Sequence, residues 1–351
     1  MLFMGTPCGG NFSFADGGSS GETMQIPMWW FAAKTGNSSL LANEIRLLNK
    51  GKYSADRLLP VIPGIIMDFP FDPSHLSFPS SNLWTGEGLV PVAMIHTGWK
   101  YDATDNYVGL KGGAANANHG HMDAGSFVFE SQGVRWSDDL KRPDYASIEN
   151  LTAAAGGSYW TMTQSSLRWD IFRMNNLSHS TLSFSNFDNS FTKRYATDHN
   201  VSGKAILIEK YTDSASPGAK MDLTPVYKGQ AQSVFRTVRL EGDKLVITDE
   251  VTATAKADAQ MMWRMLTSAT VETGSNGQIL SKDGKRLSLS ATSSSPSVTV
   301  SYKTWTAARP SSWTSRPTGW DDANEGYVVA GYSATVPAGT TVTFTTTLGR
   351  P

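Results

Sequence analysis

The sequence predicts a mainly β protein: a large antiparallel β-sandwich preceded by a short α-helical segment. Three observations predict it. From about Val92 onward, short β-branched or aromatic runs alternate with Gly, Asn, Asp and Ser. No helical period interrupts those runs, which excludes a parallel sheet built on crossover helices. Apolar residues at three- and four-residue spacing are confined to the first part of the chain. The length of 351 residues exceeds what one hydrophobic core ordinarily serves. The predicted division is 1–90, helices plus a Pro-rich linker, and 91–351, the antiparallel sandwich.

The elements follow in order. In Glu22–Lys34, Met24, Met28, Phe31 and Ala32 recur at helical spacing. Gly36 and Asn37 punctuate, and Ser38–Asn49 repeats the pattern with Leu40, Leu41, Ile45, Leu47 and Leu48. Together they read as two antiparallel helices joined by a short turn. Residues 60–91 are rich in proline and phenylalanine and read as a long surface linker. VAMIHTGW, SFVFESQGVRW, TLSFSNF, AILIEKYT, SVFRTVRL, KLVITDEV and VTVSYKTW then read as strands, with the end of the chain continuing the pattern. About ten strands are expected in this region. The clearest hairpin runs from Arg236 to Val251 around Glu241–Gly242–Asp243.

Composition excludes several classes. Lys+Arg number 30 against 31 Asp+Glu, so no basic excess holds the protein to nucleic acid. Hydrophobic residues at 40% and aromatics at 11% suffice for a sizeable core and argue against disorder. The single cysteine, Cys8, excludes an intrachain disulfide and a Cys-rich zinc site, but not a metal held by His and carboxylates. No apolar run reaches the length of a membrane span. The first residues carry no basic segment followed by an apolar run, so no signal peptide is expected in this chain.

Chemistry concentrates in Asn118-His119-Gly120-His121-Met122-Asp123. In an extended strand His119 and His121 would share a face and could line one cleft or hold one metal. Two surface histidines opening a glycine loop is the plainer alternative. The run Gly133–Leu140 reads as a strand ending in Asp138 and Asp139. A hairpin through Gln132–Gly133 would return one of these carboxylates beside His121. His179 opens the later strand TLSFSNF. Two histidines and one aspartate with an open fourth position make a reasonable zinc site.

The segments GGAANANHGHMDAGSFVFESQGVRWSDDL and RWDIFRMNNLSHSTLSF resemble the C-terminal domain of the heparinase II/III-like polysaccharide lyases. NFSFADGGSSGE and PMWWFAAKTGN resemble the end of the α/α-toroid that precedes that domain, so residues 1–90 would be a toroid remnant and residues 91–351 a supersandwich. The resemblance implies β-elimination on uronate-containing glycans, with an acidic polysaccharide or oligosaccharide as partner. It implies a zinc ion, structural in role, held by His121, Asp139 and His179. Asp139 precedes Leu140 as in the family's Asp-Leu-Gly. Lys141 replaces the glycine, which keeps Asp138 as an alternative, and Ser180 stands where the family often has asparagine. His119 matches a histidine that faces the sugar. Family lyases use a tyrosine and a histidine around the C5 proton, and an exported location, periplasmic or secreted, is implied for the full-length protein.

A uronic acid proton lies α to a carboxylate and is too weakly acidic to leave unaided. A lyase must neutralise the carboxylate, take the proton and protonate the leaving oxygen. His119 is the candidate base or charge neutraliser. The family's catalytic tyrosine comes from toroid helices that have no counterpart here. Tyr145, with Tyr159 beside it, is therefore the candidate from the sandwich side, and aromatic packing is the alternative for both. Asn118 and Arg173 are the candidate substrate-binding residues, Arg173 having a structural alternative before its turn. Asp16 could face the cleft or merely make an Asp-Gly-Gly turn. His75 reads as solvated, His96 as sheet-lining and His199 as a turn residue. Trp29, Trp30, Trp305, Trp313 and Trp320 are core or sugar-stacking candidates. Phosphate loops, nucleophile elbows and H-E-x-x-H are absent. A second reading is a glycan-binding sandwich without catalysis, or a fragment of a longer lyase; a third is a zinc hydrolase of another kind.

Overall fold

The computed structural model describes residues 2–19, 21–53, 59–68, 77–185, 197–311 and 320–351. Both helical readings hold, with shifted bounds. Helix α1 (Ile26–Thr35) carries Pro27 in its first turn, where its fixed φ suits the helix, and is capped at its end by Gly36 in the left-handed region (φ 65°). The Asn37 side chain accepts the Ser39 N–H at 3.0 Å and starts a 3-10 turn, Ser38–Leu41, that runs into α2 (Ala42–Asn49). Met24, Trp29, Ala32, Leu41, Ile45 and Leu47 form one small core. Phe31 does not join it; with Trp30 it faces solvent.

Glu44, in the first turn of α2, is buried and accepts the Gln25 N–H at 2.5 Å. Burial pushes its carboxyl up, to about 7 from an ordinary 4.5. Folding therefore favours the protonated form. The stabilisation is fully present below pH 4.5 and is lost as pH rises through about 7. The loss is on the order of 3 kcal/mol. Glu44→Gln is expected to flatten that fall in urea unfolding between pH 5 and pH 8. Parallel pH profiles for the two proteins would count against this account.

The region 60–91 is not a plain linker. It contains α3 (Ile62–Asp68) and strand β1 (Leu83–Gly86), which pairs with the next strand ahead of residue 91. The apolar set of residues 62–66 can close onto the small helical core, Ile62 and Ile65 packing there, and this outweighs the proline punctuation. Strands then follow as β2 (Val92–His96), β3 (Tyr107–Lys111), β4 (Phe127–Ser131) and β5 (Val134–Ser137). Helix α4 (Tyr145–Ala154), capped by Asp144, precedes β6 (Leu182–Phe184). Next come β7 (Ile206–Tyr211), β8 (Gly218–Asp222), β9 (Ser233–Glu241), β10 (Lys244–Thr252), β11 (Ala259–Thr267) and β12 (Thr270–Thr273). The last are β13 (Gln278–Lys282), β14 (Lys285–Ser293), β15 (Ser301–Thr306), β16 (Val328–Val336) and β17 (Thr341–Gly349).

These strands form three antiparallel sheets: β1-β2-β3-β4-β5, β12-β13-β14-β17-β10-β9-β8-β7, and β15-β16-β11-β6. The expected ten strands are thus an undercount, because short edge strands such as β1 and β12 carry little alternation of their own. One core unites the three sheets, with Phe127 and Phe129 from the first, Val238, Ile247 and Phe344 from the second, and Met261 and Trp263 from the third. The predicted hairpin is β9–β10, with Glu241 opposite Lys244 and Gly242 at φ 63° in the turn. Strict alternation buries every second residue along both strands. Arg236 and Asp249 occupy two of these core-facing positions, directly opposite each other. They make a bidentate pair, Nε to Oδ1 at 2.7 Å and Nη2 to Oδ2 at 3.0 Å. The third guanidinium nitrogen donates to Gly125 O at 2.7 Å, tying the large sheet to the loop that carries His121.

Candidate active site

The loop between β3 and β4 is not the extended strand expected for His119 and His121. His119 has a positive φ of 58°, and residues 114–125 run through successive turns. Gly120 fits between the histidines because a Cβ there would lie 2.5 Å from Ala115 O. Gly125, at φ 78°, has no room either, since its Cβ would meet Leu223 at 2.7 Å. A buried Lys111–Asp123 ion pair holds the loop from beneath, and Asp123 also accepts the Ala15 N–H at 3.0 Å. That contact brings Asp16 to the histidines.

Asp16 is the hub. His121 Nε2 donates to its Oδ1 at 3.0 Å, and His119 Nδ1 lies 2.6 Å from its Oδ2. The Tyr145 hydroxyl donates to the same Oδ2 and lies 2.7 Å from His119 Nδ1. Burial alone would raise the Asp16 carboxyl, but hydrogen bonds from His121 and Tyr145 hold it well below the usual carboxylate range. The Tyr145 hydroxyl is pushed up to about 12 by burial and by Asp16, so it stays protonated at neutral pH. Tyr145 stands at the first turn of α4, an element the strand texture did not announce. His119 is 47% exposed at the mouth of the cluster, and Asn118 beside it is also exposed. Both line a cavity of about 290 Å³ together with Phe14, Asp16 and Lys111.

Aromatic and cationic groups surround the cluster. Trp160 meets the His119 ring edge-on at 5.4 Å and the Tyr145 ring at 5.1 Å. Arg142 lies over the Tyr145 ring at 3.4 Å. Arg168 is buried, donates twice to Gly120 O and sits over the Tyr159 ring at 4.2 Å, with Nη2 3.9 Å from Asp16. Sequence reasoning missed Arg142, Trp160 and Arg168. Arg168 lies in the same RWDIF run as the histidine segment, but nothing in its spacing distinguishes it.

The hairpin through Gln132–Gly133 forms as expected, both turn residues having positive φ. It returns Asp138 and Asp139 to the site. Asp138 is fully engaged: Oδ1 accepts from Arg135 Nη1 and the Asp139 N–H, and Oδ2 from Tyr327. Asp139 Oδ2 accepts from His179 Nδ1 at 2.8 Å, while its Oδ1 is buried without a partner. His179 ends three consecutive 3-10 turns, Leu167–Asp170, Phe172–Met174 and Asn176–Ser178. Asn175 caps the last by accepting the Leu177 N–H. Ser180, the departure beside His179, bonds Ser137 Oγ at 2.9 Å and accepts the Leu266 N–H at 3.0 Å, so it joins β5 to β11.

The rings of His121 and His179 are 5.4 Å apart. Each donates one N–H to a carboxylate, and the other nitrogen, Nδ1 of His121 and Nε2 of His179, is buried without a partner. Three orphaned donor atoms, from two histidines and one aspartate, suit a zinc-type ligand set whose carboxylate partners fix the tautomers. Among the described residues, however, no three His, Cys, Asp or Glu side chains are grouped so that they could hold a metal ion as they stand. Burial keeps His121 neutral, its pKa lowered to about 4. Burial raises Asp139 to about 6, and although burial opposes it, the Asp139 charge holds His179 above its ordinary value.

Other expectations fall elsewhere. Arg173 pairs with Asp322 at 3.0 Å and donates to Asn324 Oδ1 and Ala323 O, so its guanidinium is already engaged. Tyr159 is buried and donates to Met174 Sδ, a packing role. His96 is buried and stacked on Trp99 at 4.4 Å, away from the cleft. His199, read as a turn residue, is buried and meets the Tyr227 ring edge-on. His75 and Trp313 lie outside the described residues.

The model of the heparinase II/III-like C-terminal domain matches residues 92–339, and the chain belongs to that family. The solved structures it resembles include two named as heparinase III and one named as a heparan sulfate lyase. The heparinase III–BT4657 gene product superposes with a TM-score of 0.62 at 11% identity, over 100% of this chain and 44% of that one. A mutant of the heparan sulfate lyase HepC from Pedobacter heparinus gives 0.59 at 12% identity, over 99% and 45%. A further heparinase III gives 0.57 at 12% identity, over 99% and 47%. The chain thus spans less than half the length of each, and at these identities the likeness shows the fold. No curated protein sequence matches the chain.

Proposed function

We propose that the chain is the sandwich-side part of a polysaccharide lyase that cleaves uronate-containing glycans, glycosaminoglycans among them, by β-elimination. The observation that carries this reading is the Asp16–His119–Tyr145 cluster at the mouth of a cavity. The ionised Asp16 fixes the His119 Nδ1 proton toward itself, which leaves Nε2 as the basic nitrogen. His119 takes the C5 proton. The C5–H electron pair becomes the C4–C5 double bond, the C4–O bond breaks, and the departing oxygen takes the Tyr145 hydroxyl proton. Asp16 stabilises the imidazolium that results. Asn118, which lines the cavity, and Arg142, which lies over the Tyr145 ring, receive the sugar and its carboxylate in this reading. Arg173 is left out of substrate binding, because its ion pair with Asp322 uses its charge.

His121, Asp139 and His179 are the residues that would hold zinc. Bound there, the ion would supply positive charge that ties the β3–β4 loop, the end of β5 and the His179 segment together. Metal analysis of purified chain is expected to find about one zinc per molecule, and chelation to lower the melting temperature. His179→Ala should lose both the metal and the chelator response. Zinc-free protein of unchanged melting temperature would overturn the assignment.

The test of the activity is a panel of heparin, heparan sulfate, chondroitin, hyaluronan and alginate, read by the ultraviolet absorbance of unsaturated uronyl products. A rise on at least one glycan is expected. The family's toroid contribution motivates a second reading, since the chain covers less than half of its structural neighbours. Saturable glycan binding without absorbance change, unaffected by His119→Ala, would favour a binding sandwich. No helix among the described residues is long and apolar enough to cross a membrane. An exported location is part of the same proposal.

A further inference from the structure

The outer face of the four-stranded sheet carries a second arrangement, separate from the His119 cluster. Along β11, Met261, Trp263 and Met265 point into the main core, so Gln260, Met262, Arg264 and Leu266 alternate to the outer face. Leu266 is covered there by Leu140, Phe172 and Leu177. Arg264 is only 4% exposed, and its guanidinium lies over the Trp305 ring at 5.0 Å. Its Nη2 donates to Leu177 O at 2.7 Å, and its Nε is buried with no partner.

No carboxylate faces Arg264 among the described residues, which sets it apart. Arg236 is paired with Asp249, Arg135 with Glu130 and Asp138, Arg173 with Asp322, and Arg309 with Asp321. Burial lowers the Arg264 pKa only to about 10, so the group is a cation at neutral pH. A buried cation without a counter-charge is costly, and an incoming anion would relieve that cost.

Arg264 borders a cavity of about 550 Å³ that also exposes Arg309, Trp305 and Thr306. Met262 and Trp305 also line a second hollow of about 480 Å³, together with Ser185, Gln260, Lys303, Ser333 and Thr335. Neither hollow has a carboxylate among its described lining residues. The groove therefore presents the Arg264 and Lys303 cations, beside an Arg309 already paired with Asp321, among hydroxyl and amide groups, with an aromatic side chain between its halves.

We infer that Arg264 anchors an oxyanion-binding subsite on this face, taking the carboxylate or sulfate of an acidic sugar whose ring lies against Trp305. The planar fork suits a bidentate oxyanion, and the indole suits the C–H face of a pyranose. The oxyanion follows from Arg264 alone. The choice of an acidic sugar rests on the lyase reading.

Isothermal titration with sodium sulfate, with glucuronate and with a sulfated uronate disaccharide, at ionic strength matched by chloride, tests this. Saturable binding of all three to the wild-type chain is expected, at least tenfold weaker in Arg264→Met and weakened in Arg264→Lys. Trp305→Ala should weaken the sugars while leaving sulfate in place. General stabilisation by sulfate is neither saturable nor dependent on Arg264, which separates it from site binding. Sulfate binding without either sugar would overturn the acidic-sugar ligand, whatever the lyase assay shows. Equal binding by wild type and Arg264→Met, or no saturable sulfate binding to wild type, would overturn the subsite itself. If Arg264→Met does not fold, Arg264→Lys carries the comparison, and unchanged affinity in that variant overturns the proposal.

Discussion

Tyr145→Phe is expected to lower turnover on the preferred glycan by about 10²–10⁴-fold, the usual worth of a positioned acid or base. The fold should survive, because Tyr145 is half-buried at the start of α4 and its ring contacts with Arg142 and Trp160 do not need the hydroxyl. The lost group is the proton that meets the leaving oxygen. The effect should therefore fall on kcat more than on KM, and a substrate with a better leaving group should recover part of it. His119→Ala removes the base in the same proposal and should not add its full effect to Tyr145→Phe, since both act on one elimination. Steady-state kinetics on the two single variants and the double variant check this. Near-wild-type turnover in Tyr145→Phe would remove the tyrosine from the chemistry.

The largest stability effect is expected at Asp249→Ala. Arg236 and Asp249 face each other in the interior, and each is fully buried. Removing the carboxylate leaves an uncompensated buried guanidinium, a loss of about 3–5 kcal/mol. Replacing both partners, as in Arg236→Met with Asp249→Leu, should restore much of that loss, because the penalty belongs to the stranded charge. Arg236 also donates to Gly125 O, so Asp249→Ala should loosen the β3–β4 loop as well. Urea unfolding of the single and double variants measures the first effect. Hydrogen exchange at residues 120–126 measures the second. A double variant no more stable than Asp249→Ala would argue against the charge explanation.

Much of the fold was legible because period-2 alternation is a local signal. It placed β4, β5, β9 and β10, and the turn residues at Gln132–Gly133 and Gly242 marked where hairpins reverse. It missed β1 because four residues at a sheet edge show little alternation, and α3 because its apolar residues sit between prolines. It missed α4 because the hydrophobic face of that helix is weak; only Ile148 and Thr152 are buried. The allocation of strands to three sheets was not legible either, since pairing partners such as β10 and β17 lie about ninety residues apart.

The candidate site divided in the same way. By itself the sequence determined the two histidines around Gly120, the carboxylates closing the β4–β5 hairpin and the histidine at the end of the 3-10 run. Each belongs to a short motif recognisable in the chain, although turns held by long-range contacts replace the extended geometry expected between His119 and His121. Tertiary structure alone decided which carboxylate does what. Asp138 is taken up by Arg135 and Tyr327, and Asp139 turns to His179. It also decided that Asp16 is the hub, 129 residues before Tyr145 in the chain and bonded to it in space. The same holds for Arg264, one arginine among many in the sequence, which only the packing of Leu177 and Trp305 leaves buried without a counter-charge. The physical reason is that hydrogen bonds and ion pairs are satisfied by whatever the fold brings within about 3 Å, and chain separation carries no information about that.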